Sequence, residues 1–275
     1  MFPSFLLSLR EGIEAALIIG IIIGMLIKIN RTELKPVVWG GVILAILLSF
    51  ALGIGLNAIG MEFTGQFEAI FEGLAMLFAA AILTWMILWM QQQGGQIQRD
   101  LESKTMQATI NGSSSALFLL AFLAVFREGI ELALFLIATR MASDTLPVLI
   151  GAVLGLGVSI LLGWILFTST RRLNLKKFFL VTNILLLFFA AGLVAYGVHE
   201  LIEAGWIPGI IDPVWDINHI LSDNSEFGSI LKALFGYNGN PALTQILAYL
   251  GYFAILGTII IRSQRNQVRT QTAAA

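Results

Sequence analysis

The chain has 275 residues, of which 57% are hydrophobic and 12% charged, with a mean hydropathy of +0.87. This lies outside the range of a soluble globular domain and predicts an all-α polytopic membrane protein. The net charge of −1 gives no reason to expect a nucleic-acid partner, and the absence of cysteine excludes disulfides, thiolate metal sites and thiol catalysis.

A membrane helix needs roughly 20 mostly apolar residues. Seven segments meet that requirement, at about 5–27, 37–59, 67–90, 116–138, 147–169, 178–198 and 243–261. The first is expected to stay as a helix rather than act as a cleavable signal, because it lacks a basic leading segment and carries Glu11 and Glu14. Lys28, Arg31 and Lys35, then Arg99 and Lys104, then Arg171, Arg172, Lys176 and Lys177, and finally Arg262, Arg265 and Arg269 fall in alternate connections and the C-terminal tail. The other connections hold only Arg140 and Lys232. The positive-inside rule therefore puts the N-terminus outside and the C-terminus in the cytoplasm. The outward connections are acidic, with Glu62, Asp144, Glu200, Glu203, Asp212, Asp216, Asp223 and Glu226, a pattern that would attract an approaching cation. Residues 199–242 form the longest outer loop, and its Trp206, Trp215, Phe227 and Phe235 predict a folded cap or anchoring at headgroup level.

The most informative residues are Arg10-Glu11-Gly12-Ile13-Glu14, which recur unchanged as Arg127-Glu128-Gly129-Ile130-Glu131 in the fourth segment. Other echoes accompany them. Gly41, Ala45, Ser49 and Gly53 match Gly151, Gly155, Ser159 and Gly163, and residues 77–81 match 188–192. Residues 1–90 thus correspond to 116–198, separated by a cytoplasmic loop at 91–115. Each unit crosses three times, so the two must be inverted relative to one another, an architecture typical of transporters. Residues 243–275 add a seventh helix and a basic tail. The small residues, including Gly12 and Gly129, are expected to let the two motif-bearing helices approach closely.

Glu11 and Glu14 share a helix face, as do Glu128 and Glu131, and each Arg lies four residues before the second Glu of its motif. Pairing one Glu with its own Arg leaves one negative charge per motif. Glu72, with Glu68 one turn earlier, is expected to add acid from the third segment, where the sixth has Asn183 and Phe179. Eight such charges facing lipid would cost on the order of 20 kcal/mol, more than the ~5–15 kcal/mol net stability of a typical protein. They are therefore expected to converge inside and to hold protons or a cation, which makes cation binding pH-dependent and release easier in acid. Oxygen-only ligands select iron, manganese, magnesium or calcium over copper(I) and zinc. A catalytic di-iron site would place His three residues after Glu, whereas this chain has Glu there twice and only His199 and His219 in all. Carriage is favoured over oxygen chemistry, and Met86 and Met90 are read as packing rather than a copper path.

With Phe71-Glu72-Gly73 and Leu83-Thr84-Trp85-Met86 in the third segment, the doubled Arg-Glu-Gly-x-Glu resembles the oxidase-dependent iron permease family. The length and the Phe235-Gly236-Tyr237 segment resemble its bacterial ferrous iron permease branch. The resemblance implies iron uptake through the plasma membrane, the inner membrane in a bacterium, with Glu11, Glu14, Glu128 and Glu131 as the iron motif and Arg10 and Arg127 as its basic positions. It also implies iron as a transported substrate rather than a bound cofactor. A periplasmic cupredoxin-like protein and a haem peroxidase, or a ferroxidase, are the implied partners. His199, Glu203 and Asp216, with Glu200 and His219 nearby, are candidates for an outer vestibule.

Three other readings compete. A manganese or other divalent-cation transporter would use the same ligand types. A membrane phosphatase acting on a lipid pyrophosphate shares the coarse architecture, but it needs unpaired Arg and hydroxyl donors that these motifs lack. A purely structural lock of buried ion pairs is the third. Six acids against two bases exceed what a lock requires.

Overall fold

The computed structural model describes residues 1–60, 64–93, 96–110, 113–168, 175–223 and 225–273. Glu62, Arg171 and Arg172 lie outside the described residues, as do the side chains of Lys176, Glu226, Arg265 and Arg269. Among the described residues the chain is helical with no strand. Its helices are α1 (Phe2–Lys28), α2 (Lys35–Gly60), α3 (Gln66–Gln93), α4 (Gln96–Ile110), α5 (Ser114–Met141), α6 (Thr145–Thr168), α7 (Leu175–Glu203), α8 (Glu226–Phe235) and α9 (Leu243–Ala273). A 3-10 turn, Thr32–Leu34, joins α1 to α2.

Helix lengths follow the apolar runs. Among the described residues, five stretches, Thr32–Leu56, Gln66–Gln91, Thr145–Phe167, Lys177–Glu203 and Leu243–Arg262, are long and apolar enough to cross a membrane. Helices α1 and α5 are as long, with 27 and 28 residues, but each carries an Arg and two Glu along its length. The large side chains that α2 and α6 leave exposed, such as Ile43, Leu47 and Phe50 or Val153, Ile160 and Trp164, suit contact with lipid.

Small-residue stripes set the most extensive pairings, α1 with α6 and α2 with α5. Along α1 and α6, Ser4 meets Gly151, Ser8 meets Gly155, Gly12 meets Ser159, Ala16 meets Gly163 and Gly20 meets Phe167. The contacts advance together, so these helices are parallel. Along α2 and α5, Gly41 meets Ala121, Ser49 meets Gly129 and Gly53 meets Ala133, again in parallel. Only residues 142–144 join α5 to α6, so the chain doubles back there, and α1, parallel to α6, runs opposite to α5. The two motif-bearing helices do meet, but not at Gly12 and Gly129, which were expected to permit the approach. Each admits a serine from a stripe helix, and α1 and α5 meet along a different face.

Helices α3 and α7 cross where Gly73 approaches the Gly197 carbonyl and Leu201, while Gly197 approaches the Gly73 carbonyl and Leu77. This reciprocal contact relates 73 to 197 and 77 to 201, a different register from the sequence match of 77–81 with 188–192. Gln66 Nε2 extends the crossing outward by donating to the Ala204 carbonyl at 2.7 Å.

The segment 91–115, expected as a loop, contains α4. Its Thr105 and Thr109 hydroxyls bond back to the Leu101 and Thr105 carbonyls. Leu101, Thr105 and Ala108 recur at helical spacing, and Leu101 and Ala108 join an apolar cluster with Ile22, Leu26, Val42, Leu117 and Ala121. A second cluster, including Leu6, Leu7, Leu83, Met86, Phe135 and Leu186, occupies the opposite end of α1 and α5. The pentapeptides lie between the two.

Residues 204–223 and 225–242 form a folded cap. The backbone amides of Val214 and Ile217 donate to the Pro241 and Gly239 carbonyls, and Leu243 donates to Ile211. The Tyr196 hydroxyl donates to the Tyr237 carbonyl at 2.6 Å, and the Tyr237 hydroxyl to Leu221. Helix α8 starts at a Ser225 cap and ends on Gly236 at φ 67°, a conformation glycine adopts without strain. The Cα of Gly236 also sits against Gly192 of α7, where a side chain would not fit.

Candidate functional site

The two pentapeptides meet where α1 crosses α5. Carboxylate oxygens of Glu11, Glu128 and Glu131 lie within 4.8 Å of one another, and Glu11 and Glu128 are buried. Glu14 is buried beside them, its charge interacting with Glu131 across the interface, as Arg10 does with Glu128. Each arginine binds both glutamates of its own motif, not one as the spacing alone suggests. Arg10 Nη1 is 2.6 Å from Glu11 Oε1 and Nη2 is 2.9 Å from Glu14 Oε1. Arg127 Nη2 is 3.1 Å from Glu128 Oε1 and Nε is 3.3 Å from Glu131 Oε1.

These pairs leave acceptors over. Among the described residues, Glu11 Oε2, Glu128 Oε2 and Glu131 Oε2 are buried and have neither a hydrogen bond nor an ion pair. Buried polar atoms are normally partnered. Carboxylate oxygens of three glutamates converging from two helices are the kind of donor set a hard or borderline cation takes.

The arginines differ in their surroundings. Arg10 is 0% exposed, whereas Arg127 is 45% exposed. Arg10 Nη1 donates to Met86 Sδ at 3.3 Å and Nη2 to Met90 Sδ at 2.9 Å. Arg127 instead lies over the Trp89 ring, 5.3 Å from its centre. Sequence reasoning assigned Met86 and Met90 to packing and gave Trp89 no role. Helical spacing exposes the possibility of such contacts but does not say which helix face meets the arginine.

Glu68 and Glu72 do not join this cluster. The α3–α7 crossing carries them to the last turns of α7, about four to six helical turns from the Met86–Met90 level. There the charges of Glu68, Glu72, Glu200 and Glu203 interact, with Arg140 near Glu72 and Lys232 near Glu200. His199, expected in the loop, is still on α7, with Nε2 3.3 Å from Glu203 Oε1. Asp216 is separate from this group: it is exposed, and its Oδ1 accepts the Asn218 amide.

Comparisons with known proteins agree on one family. Residues 1–265 match the iron permease FTR1 family. The ferrous iron permease EfeU of Escherichia coli O6:H1 is 36% identical over 254 residues, covering 92% of each chain. The protein of that name from Shigella sonnei is likewise 36% identical over 92% of each chain. That of Yersinia pestis is 34% identical over 277 residues, covering 100% of this chain and 98% of its own. No solved structure matches. These relatives are transporters rather than enzymes, so the phosphatase reading is set aside. With five helices among the described residues able to cross a bilayer, the protein is a multi-pass membrane protein, and it belongs to the iron permease FTR1 family.

Proposed function

We propose that this chain imports iron, as Fe2+ or Fe3+, across the plasma membrane, the inner membrane in a bacterium, through one site built from both Arg-Glu-Gly-Ile-Glu motifs. The observation that carries the reading is the convergence of Glu11, Glu128 and Glu131, each with a buried oxygen that has no partner. Glu14 completes the set when Arg10 yields. The name of the relatives favours the ferrous ion as cargo.

The architecture we infer has seven spans, with α1–α3 and α5–α7 as inverted repeats, 1–90 and 116–198, and α9 added. The paired Gly12–Ser159 and Gly129–Ser49 contacts support it, since a two-fold operation exchanging α1 with α5 and α6 with α2 would turn one into the other. The N-terminus is outside and the C-terminus cytoplasmic by the distribution of Lys and Arg. Apolar clusters on both sides of the charges make this an occluded arrangement, so passage requires one to part while the other holds. Iron then binds by displacing protons from the carboxylates, and the arginines keep the net charge low enough for release. Glu68, Glu72, His199, Glu200 and Glu203 form an outer vestibule under the 204–242 cap, with Asp216 on the cap's surface. Delivery there by a periplasmic cupredoxin-like protein with a haem peroxidase, or by a ferroxidase, fits this acidic outer end.

Uptake into proteoliposomes, with ferrous and ferric iron compared at controlled redox potential and proton gradient, tests the proposal. Iron accumulation lost on Glu14→Gln with Glu131→Gln, in protein that folds normally, is the expected result. Accumulation at the parental rate would favour the ion-pair lock, and stronger uptake of manganese than iron would move the substrate to another divalent cation.

A further inference from the structure

One turn of α3 touches both intramembrane arginines. Met86 and Met90 accept hydrogen bonds from Arg10, at 3.3 and 2.9 Å, and Trp89 lies under Arg127 at 5.3 Å. We propose that this turn is an arginine clamp for the transport site: Met86, Trp89 and Met90 draw the two guanidinium groups toward α3 and so keep carboxylate oxygens of Glu11, Glu128 and Glu131 available to the cation. The inference rests on the carrier reading above and adds three positioning residues to it, none of them a cation ligand.

The physical argument starts from donor counting. A guanidinium has five N–H donors, and one enclosed by protein must direct each of them somewhere. Arg10, with no exposure, faces Glu11, Glu14 and two thioethers, while its Nε has no acceptor. The thioethers are weak acceptors, yet they hold the two terminal nitrogens on the α3 side. Without them, those donors would find their strongest alternative acceptors in the orphaned oxygens of Glu11 and Glu128, the same oxygens a cation needs. The Trp89 face does the equivalent for Arg127 by attraction of the cation to the ring. A half-exposed guanidinium held by a ring face and two ion pairs is the more easily displaced of the two. The clamp is therefore tight on the first motif and releasable on the second, and movement of Arg127 off Trp89 accompanies opening.

The test turns on two substitutions with opposite demands. Met90→Leu preserves an apolar side chain of similar volume and removes the acceptor, whereas Met90→Gln keeps an acceptor and is the poorer replacement in an apolar setting. Full-length protein in proteoliposomes is expected to show a half-saturation for ferrous iron raised by about tenfold in Met90→Leu, the low end for loss of an outer partner at a metal site. Its maximal rate should be little changed, and Met90→Gln should return near the parental value. Trp89→Leu and Trp89→Phe form a second pair, with the ring-retaining Phe expected to preserve affinity. If Met90→Leu does not fold, the Trp89 pair and Met86→Leu decide the matter in its place.

Parental affinity in the Leu variants, or Gln weaker than Leu, would overturn the clamp, because packing alone predicts that order. The resonance of Arg10 Nη–H groups in 15N-arginine-labelled protein gives a readout independent of transport. Hindered guanidinium rotation in the parent, lost with Leu and regained with Gln, supports the clamp, and unchanged rotation in all three defeats it. Parental protein that moves no iron while these signals behave as expected would refute the carrier reading and leave the clamp standing.

Discussion

Glu128 keeps one oxygen without any donor and holds the other only through a 3.1 Å ion pair to the half-exposed Arg127, whereas Glu14 gives its oxygen to the fully enclosed Arg10 at 2.9 Å. Glu128→Gln is therefore expected to weaken iron binding more than Glu14→Gln, by at least about tenfold, measured by equilibrium binding to solubilised protein. The arginines should separate in stability. Removing one partner of a buried pair costs about 3–5 kcal/mol because the other charge stays behind. Arg10→Ala is expected to show that loss in thermal unfolding, and Arg127→Ala to show a smaller one, since its side chain is 45% exposed. Equal effects would contradict the inequality of the two sites. In the proposed site protons compete with the cation for the carboxylates, so the half-saturation for uptake should rise as the outside pH falls. A flat profile would mean that these groups bind no cation.

At the scale of helices, the stripes predict paired genetics. A methyl group at Gly129 would overlap Ser49, and one at Gly12 would overlap Ser159. Gly129→Ala should destabilise by about 1–3 kcal/mol, the usual cost of overpacking, and Ser49→Gly should restore the thermal midpoint. Rescue by Ser159→Gly instead would contradict the α2–α5 pairing. The span positions were legible because apolar run length fixes where a helix can end, so α2, α6 and α9 start within a few residues of expectation. The motif pair was legible because Arg and Glu have few reasons to lie in an apolar helix. Register between distant helices was not. Small residues advertise close approach without naming the partner, so Gly12 and Gly129 pointed to an approach of the two motif-bearing helices although each meets a serine. The Glu72 position followed from a helix crossing that only Gly73 and Gly197 specify, and neither is distinguishable in sequence from a stripe glycine. Helix α4 was hidden by its composition, since Gln, Thr and charges surround the few apolar residues it buries.

For the whole molecule, topology has a direct test because the chain contains no cysteine. A single cysteine at Asp216 should react with an impermeant thiol reagent in intact cells, and one at Arg31 only after the membrane is opened. Reaction of both in intact cells would overturn the proposed orientation. The helix pairings carry a further consequence for biogenesis. The first helix packs along α6, whose residues begin only at Thr145, and α2 packs along α5. Neither half of the chain holds the partners of its own first two helices. A ribosome must therefore deliver more than half of the polypeptide before α1 can settle, and in the proposed seven-span arrangement a nascent chain emerging N-terminus first has to carry Arg10, Glu11 and Glu14 in the bilayer meanwhile. The contacts of Arg10 with both glutamates of its own helix give that waiting segment a local neutralisation which needs no other part of the chain. The arrangement proposed to serve a travelling cation would thus also let its first half wait in the membrane for the second.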